Sequence, residues 1–93
     1  LVFKLLPNYP NPFNPQTTIP YHLPHGSRVK LSVYNMAGQR VRRLVDDGNK
    51  PAGHHQITWD GRDETGHLVG SGVYLYRLEA GSYVKTRRLV LVK

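Results

Sequence analysis

Residues Val29–Val45 read VKLSVYNMAGQRVRRLV. Val29, Leu31 and Val33 alternate with Lys30, Ser32 and Tyr34. That period of two turns one face of a strand to a core and the other to water. Val41, Leu44 and Val45 follow among Arg40, Arg42 and Arg43 and predict a second, wetter strand. Between the two lies Asn35-Met36-Ala37-Gly38. Asparagine opens such a turn by bonding its own backbone, and Gly38 can take the positive φ of a bulged hairpin loop. The stretch is an antiparallel hairpin, which makes the domain a β-protein.

The same period recurs on either side. Upstream, Ile19, Tyr21 and Leu23 alternate with Pro20 and His22. A proline cannot donate to a ladder, so this strand is expected at a sheet edge or donating on one side only. Asp46–Gly53 is expected as a polar connection. Downstream, His55, Ile57 and Trp59 share one face of a strand, and Tyr74, Tyr76 and Leu78 share one face of Val73–Ala80. Asp60–Gly72 joins these two as a loop with four glycines. After the Gly81-Ser82 turn, Tyr83–Val92 ends in an unbroken apolar run, expected of a central strand or one that docks firmly. No stretch carries a capped 3.6-residue period. Short strands at this spacing predict an all-β fold, a small antiparallel β-sandwich of about seven strands, with Trp59 in its core.

Composition sets the limits. Ninety-three residues make one small domain. With no cysteine there is no disulfide, thiolate nucleophile or Cys-ligated metal. No window approaches the about 18 apolar residues of a membrane helix. The chain begins at Leu1 with no recognisable leader, as expected of a domain from a longer protein. A formal charge of +7 favours anionic partners and solubility without choosing between them.

Asn8–Pro24 reads NYPNPFNPQTTIPYHLP, with five prolines and three asparagines. Residues before proline are driven toward extended backbone, so the stretch is stiff before the domain folds. It is expected to be an arm over residues 1–16, pinned by Tyr9 and Phe13, that leads into a sandwich over 17–93 and spaces it from an upstream module.

Residues that could carry chemistry are scattered. His54 and His55 are adjacent on a strand and point to opposite faces, and His22 and His25 flank Pro24 without a local carboxylate. Surface and turn roles are expected for the five histidines, and no metal site. Asp60 and Asp63 are weak calcium candidates, because Arg62 and Thr65 occupy positions where a calcium loop places an acid or amide and a glycine. No nucleophile–base set is specified, and Gly70-Ser71-Gly72 precedes a strand where a phosphate loop would open a helix. The expectation is no enzyme, no cofactor and no nucleic-acid partner.

Four blocks, Asn8–Pro24, Val29–Asp46 (VKLSVYNMAGQRVRRLVD), His54–Gly81 (HHQITWDGRDETGHLVGSGVYLYRLEAG) and the closing KTRRLVLVK, together resemble the type A C-terminal sorting domains of type IX secretion cargo in Bacteroidetes-like bacteria. Those are relatives of the Ig-like domain of the flagellar hook-capping protein. The resemblance covers Leu6–Lys93 and implies an Ig-like sandwich at the end of a secreted cargo protein. It implies a non-catalytic module that directs an upstream cargo through the periplasm, across the outer membrane by the secretion machinery, to the bacterial cell surface. There a sortase and attachment to anionic lipopolysaccharide follow. By the same resemblance, translocon recognition falls on Gly72, Val73 and Tyr74 and on Lys85, Arg87, Arg88, Leu89, Val90, Leu91, Val92 and Lys93. The lead-in motif is Asn8, Pro10, Asn11, Pro12, Phe13, Asn14 and Pro15. Arg87-Arg88 stands where lysines are more usual, with the charge retained. The competing readings are a carbohydrate-binding module beside a glycoside hydrolase, which needs a flat row of exposed aromatics, and a structural Ig-like spacer or assembly domain.

Overall fold

The computed structural model describes all of residues 1–93. Seven strands follow in order: β1 (Lys4–Leu5), β2 (Thr17–Leu23), β3 (Ser27–Tyr34), β4 (Arg40–Lys50), β5 (Gly53–Trp59), β6 (Gly72–Ala80) and β7 (Tyr83–Leu91). They form two antiparallel sheets, one ordered β1-β2-β5 and the other β4-β3-β6-β7. The protein is a small Ig-like β-sandwich.

The alternation that suggested the strands also builds the core. Leu5, Ile19, Tyr21, Leu23 and Trp59 project from the three-stranded sheet. They meet Val29, Leu31, Val33, Tyr76, Leu78, Leu89 and Leu91 from the four-stranded sheet. Trp59 is fully buried, a contribution of roughly 2–3 kcal/mol from its apolar area. The β3–β4 hairpin closes as its sequence suggests. Gly38 sits at φ 82°, and the Asn35 Oδ1 accepts from the amides of Ala37 and Gln39, each at 3.0 Å.

Three expectations change. β2 is the middle strand of its sheet, so of the two expected settings for Pro20 the sheet edge is overturned, and the missing donor is accommodated by a substitution of partners. The Leu6 amide donates to the Pro20 carbonyl at 3.1 Å, but Pro20 has no N–H to return. The Leu6 carbonyl accepts instead from the Tyr76 hydroxyl at 2.8 Å. Next, residues 46–50 of the expected polar connection belong to β4, which runs on to Lys50 past register shifts opposite Val29, Leu31 and Val33. Adjacent Leu44 and Val45 reflect this irregularity, because a bulge breaks strict alternation. Finally, β7 is an edge strand, so of the two readings of its apolar run the central strand falls and firm docking stands. Leu89 and Leu91 are buried, Val90 is half-buried and Val92 is exposed.

The lead-in crosses from one sheet to the other. Lys4 and Leu5 pair with His22 and Tyr21 as β1. Farther on, Phe13 forms a parallel bridge to Leu91 beside β7. Phe13 is buried, 5.6 Å from the Trp59 ring, whereas Tyr9 is exposed and donates its hydroxyl to Gln56 at 3.2 Å.

Candidate functional site

The residues singled out in three separate parts of the sequence converge on β7. Gly72, Val73 and Tyr74 are the direct cross-strand partners of Leu91, Val90 and Leu89. From the other side, the Phe13 amide donates to the Val90 carbonyl at 2.9 Å and the Val92 amide donates to the Phe13 carbonyl at 3.1 Å. The Val90 amide donates to Asn11 Oδ1 at 2.9 Å. The Lys93 amide donates to Ser71 Oγ at 3.0 Å. Beneath this end lie Phe13, Trp59 and Tyr74, with Trp59 5.6 Å from each of the other two rings.

The register of β6 on β7 is unbroken from Gly72↔Leu91 to Ala80↔Tyr83. Backbone groups in an antiparallel pair therefore alternate strictly between the partner strand and the open side. Val90 faces the open side, so Val84, Thr86 and Arg88 do too. The hydrogen bonds from the lead-in to β7 end at Val90 and Val92, and the N–H and C=O groups of Val84, Thr86 and Arg88 have no main-chain partner, leaving a strand edge that faces the lead-in across a cleft. β7 is thus covered over its last residues and open over Tyr83–Arg88.

The open half is also where uncompensated positive charge gathers. Four ion pairs form, Arg28–Asp47, Arg42–Asp60, Arg43–Asp46 and Arg77–Glu79, and none involves β7. At the opposite edge, Arg42 and Arg43 of β4 are paired with Asp60 and Asp46, and the Glu64 carboxylate accepts from the Arg43 backbone amide. Lys85 and Arg88 are exposed without a carboxylate partner, while Arg87 donates through Nε to the Leu5 carbonyl at 2.6 Å. Lys85, Arg87 and Arg88 line one wall of a cleft of about 400 Å³, and Pro7, Asn8 and Asn11 of the lead-in line the other.

At the floor of that cleft, Tyr76 fastens the lead-in to β6. Its hydroxyl donates to the Leu6 carbonyl at 2.8 Å and accepts from the Asn8 amide at 3.0 Å. Burial raises the Tyr76 pKa, opposed by the Asn8 amide bond and the Arg87 charge. The hydroxyl therefore remains a donor. Asn8 is buried, donates through Nδ2 to Thr17 Oγ1 at 3.0 Å, and leaves its Oδ1 without a partner. Thr17 Oγ1 donates in turn to the Pro10 carbonyl at 2.9 Å. Pro12, Asn14 and Pro15 are exposed. Pro15 lies near Gly61, where an added Cβ would meet its carbonyl oxygen at 3.5 Å.

The carboxylates of Asp60 and Asp63 are engaged by neighbouring protein groups. Asp60 Oδ1 accepts from the Arg62 amide at 3.1 Å and pairs with Arg42 at 3.3 Å. Asp63 Oδ1 accepts from the Thr65 hydroxyl at 2.7 Å and from the amides of Thr65 and His67 at 3.0 and 3.1 Å. Both carboxylates cap their own loop, and no three His, Cys, Asp or Glu side chains gather anywhere in the chain.

Tyr76 and Asn8 were not assigned these roles from sequence. The signal available was Pro20, whose missing donor requires another group to satisfy whatever carbonyl faces it.

Residues 15–83 match the family model of the FlgD Ig-like domain. The chain belongs to the FlgD Ig-like domain family. The segments that meet around the second half of β7, residues 8–14 and 84–93, lie outside the matched span. Among solved structures, this FlgD-family domain is similar to FlgD from P. aeruginosa, with TM-score 0.63 and 29% identity over 81% of this chain and 58% of that one. It is also similar in fold to latent PorU from Porphyromonas gingivalis, with TM-score 0.77 and 21% identity over 98% of the chain. A third similar fold occurs in PorZ, an essential bacterial surface component of the type IX secretion system of that organism, with TM-score 0.66 and 20% identity over 96% of the chain. The domain spans 9% of the PorU chain and 11% of the PorZ chain. No curated protein matches it by sequence.

Proposed function

We propose that this FlgD-family Ig-like domain is a non-catalytic sorting module that delivers an upstream cargo domain across the outer membrane to the cell surface, with β7 as its docking element. The observation that carries this reading is the half-covered, half-open edge of β7. The lead-in motif fixes the end of the strand, and the open half offers unpaired backbone groups beside unpaired cations. A strand edge in this state recognises a partner by adding a strand, with main-chain hydrogen bonds for affinity and flanking charge for selection. The partner would be a component of the secretion machinery with an acidic edge. Surface sortase processing and attachment to anionic lipopolysaccharide belong to the same reading. The fold shared with the PorZ secretion component supports it, as does the resemblance of the sequence blocks to those of sorting domains.

A structural spacer is the second reading, favoured by the family match itself. A carbohydrate-binding surface has less support: Tyr9 is the one aromatic side chain among the exposed large hydrophobics, and Trp59 and Tyr76 are buried.

The test is a fusion of residues 1–93 to an inert reporter in a host that has type IX machinery. Deleting Leu89–Lys93 would remove two buried leucines and confuse signal with folding. Thr86→Pro and Lys85→Glu/Arg88→Glu alter the open edge and spare the core. The sorting reading expects the parent fusion at the surface and both variants retained, folded, inside the cell. Retention of the parent fusion would favour the spacer, and surface delivery of both variants would remove β7 from the docking role.

A further inference from the structure

His22 on β2 and His54 on β5 are direct cross-strand partners, with ring centroids 4.0 Å apart and planes inclined by 32°. The pair was not visible in the sequence, where His54 is beside His55 and His22 is near His25. The register of β2 on β5 creates it.

The other three histidines have ring nitrogens already engaged. His25 Nδ1 lies 3.1 Å from the Gly26 carbonyl, His55 Nε2 lies 2.8 Å from the Pro51 carbonyl, and His67 Nδ1 lies 2.7 Å from Thr65 Oγ1. The rings of His22 and His54 make no hydrogen bond to the protein, and they sit on the outer face of the sheet, His54 exposed and His22 half-buried. His55 shows the contrast on the inner face, stacked on Tyr21 at 5.2 Å.

We propose that His22 and His54 form a two-histidine site for a divalent first-row transition ion of the zinc, copper or nickel class. Two neutral imidazoles on neighbouring strands offer the paired nitrogen ligands that such ions prefer, and no oxygen ligands that would suit calcium or magnesium. Binding at the about 2.0–2.1 Å of a zinc–imidazole bond requires the rings to open slightly from their present spacing. Both side chains lie outside the core, so the adjustment leaves the core undisturbed. Water fills the remaining coordination positions.

The charged groups around the pair set its pH dependence. Lys4 on β1 faces His22 from one side and His54 on β5 faces it from the other. His22 has its pKa lowered by desolvation, then by the charges of His54, Lys4 and the Leu1 amino group. Lys4 opposes a cation, but its long stem can carry the ammonium away.

Zinc titration of the whole chain, followed by calorimetry and by the histidine ring resonances, tests the site. At about pH 7.5 one zinc ion per chain is expected, with the His22 and His54 resonances moving together. Affinity should fall at least about tenfold at about pH 5.5, since bound protons compete with the metal. His22→Asn and His54→Asn should each weaken binding at least about tenfold, and His25→Asn should leave it unchanged. Absence of saturable binding, either site variant binding like the parent, or movement of the His25, His55 or His67 resonances in place of this pair would overturn the proposal. The resonance assignment decides the matter without variants if one of them fails to fold.

Discussion

Phe13 and Val90 are 77 residues apart and joined backbone to backbone, the Phe13 amide donating to the Val90 carbonyl at 2.9 Å. The proline-rich segment that reads as an arm ahead of the domain therefore finishes its last strand. A sheet edge left open along its length invites indiscriminate pairing. Here the lead-in closes one half of β7 and leaves the other half for selective use.

Phe13 should be indispensable to this arrangement. Its buried ring packs on Trp59, and truncation of a buried phenylalanine costs about 3–5 kcal/mol. That is a large share of the roughly 5–14 kcal/mol available to a domain of this length. Urea unfolding of Phe13→Ala should show a loss in this range. Phe13→Leu should recover more than half of it.

Tyr76→Phe isolates the clamp from the packing. The substitution keeps the ring and removes one hydroxyl, leaving the Leu6 carbonyl and the buried Asn8 amide without their partner. A loss of about 1–3 kcal/mol is expected. Amide exchange at Asn8 should accelerate more than exchange at Ile19 or Leu31 in the core.

Thr86→Pro should be nearly silent in stability. The Thr86 amide points away from β6, so a proline there removes no ladder bond. A change within about 0.5 kcal/mol is expected by thermal unfolding, as for surface sites in general. A large loss would mean that the outer side of β7 is already paired.

Asp63 gives the loop after β5 a pH dependence. Its carboxyl is held below the usual range, chiefly by the Thr65 hydroxyl and next by the His67 amide. The folded value lies below the unfolded one. The stabilisation is therefore complete above the ordinary aspartate pKa of about 3.9 and is lost as pH falls through the lower folded value. An NMR titration should place the Asp63 midpoint below that of an unstructured aspartate, with amide protection at Thr65 and His67 fading over the same interval. Asp63→Asn should abolish the dependence.

Much of the fold was legible because alternation reports directly on burial. Val29, Leu31 and Val33, and likewise Tyr74, Tyr76 and Leu78, face inward as their spacing requires. β1 escaped notice because a two-residue strand is too short to show a period. β7 could be read as central or firmly docked because Leu89 and Leu91 are buried in the core and Val90 is half-buried beside the lead-in, a partner some 80 residues away. The site residues were recognisable as separate motifs, but their convergence was not. It depends on Gly72 lying opposite Leu91 and on Phe13 reaching Val90, contacts that no local pattern encodes. The His22–His54 pair was hidden for the same reason.

Amide hydrogen exchange along β7 in the isolated domain tests the half-covered edge most directly. The Val90 and Val92 amides should be protected, held by Asn11 Oδ1 and the Phe13 carbonyl, while those of Val84, Thr86 and Arg88 exchange at nearly unprotected rates. Uniform protection from Val84 to Val92, or rapid exchange at Val90, would contradict the account.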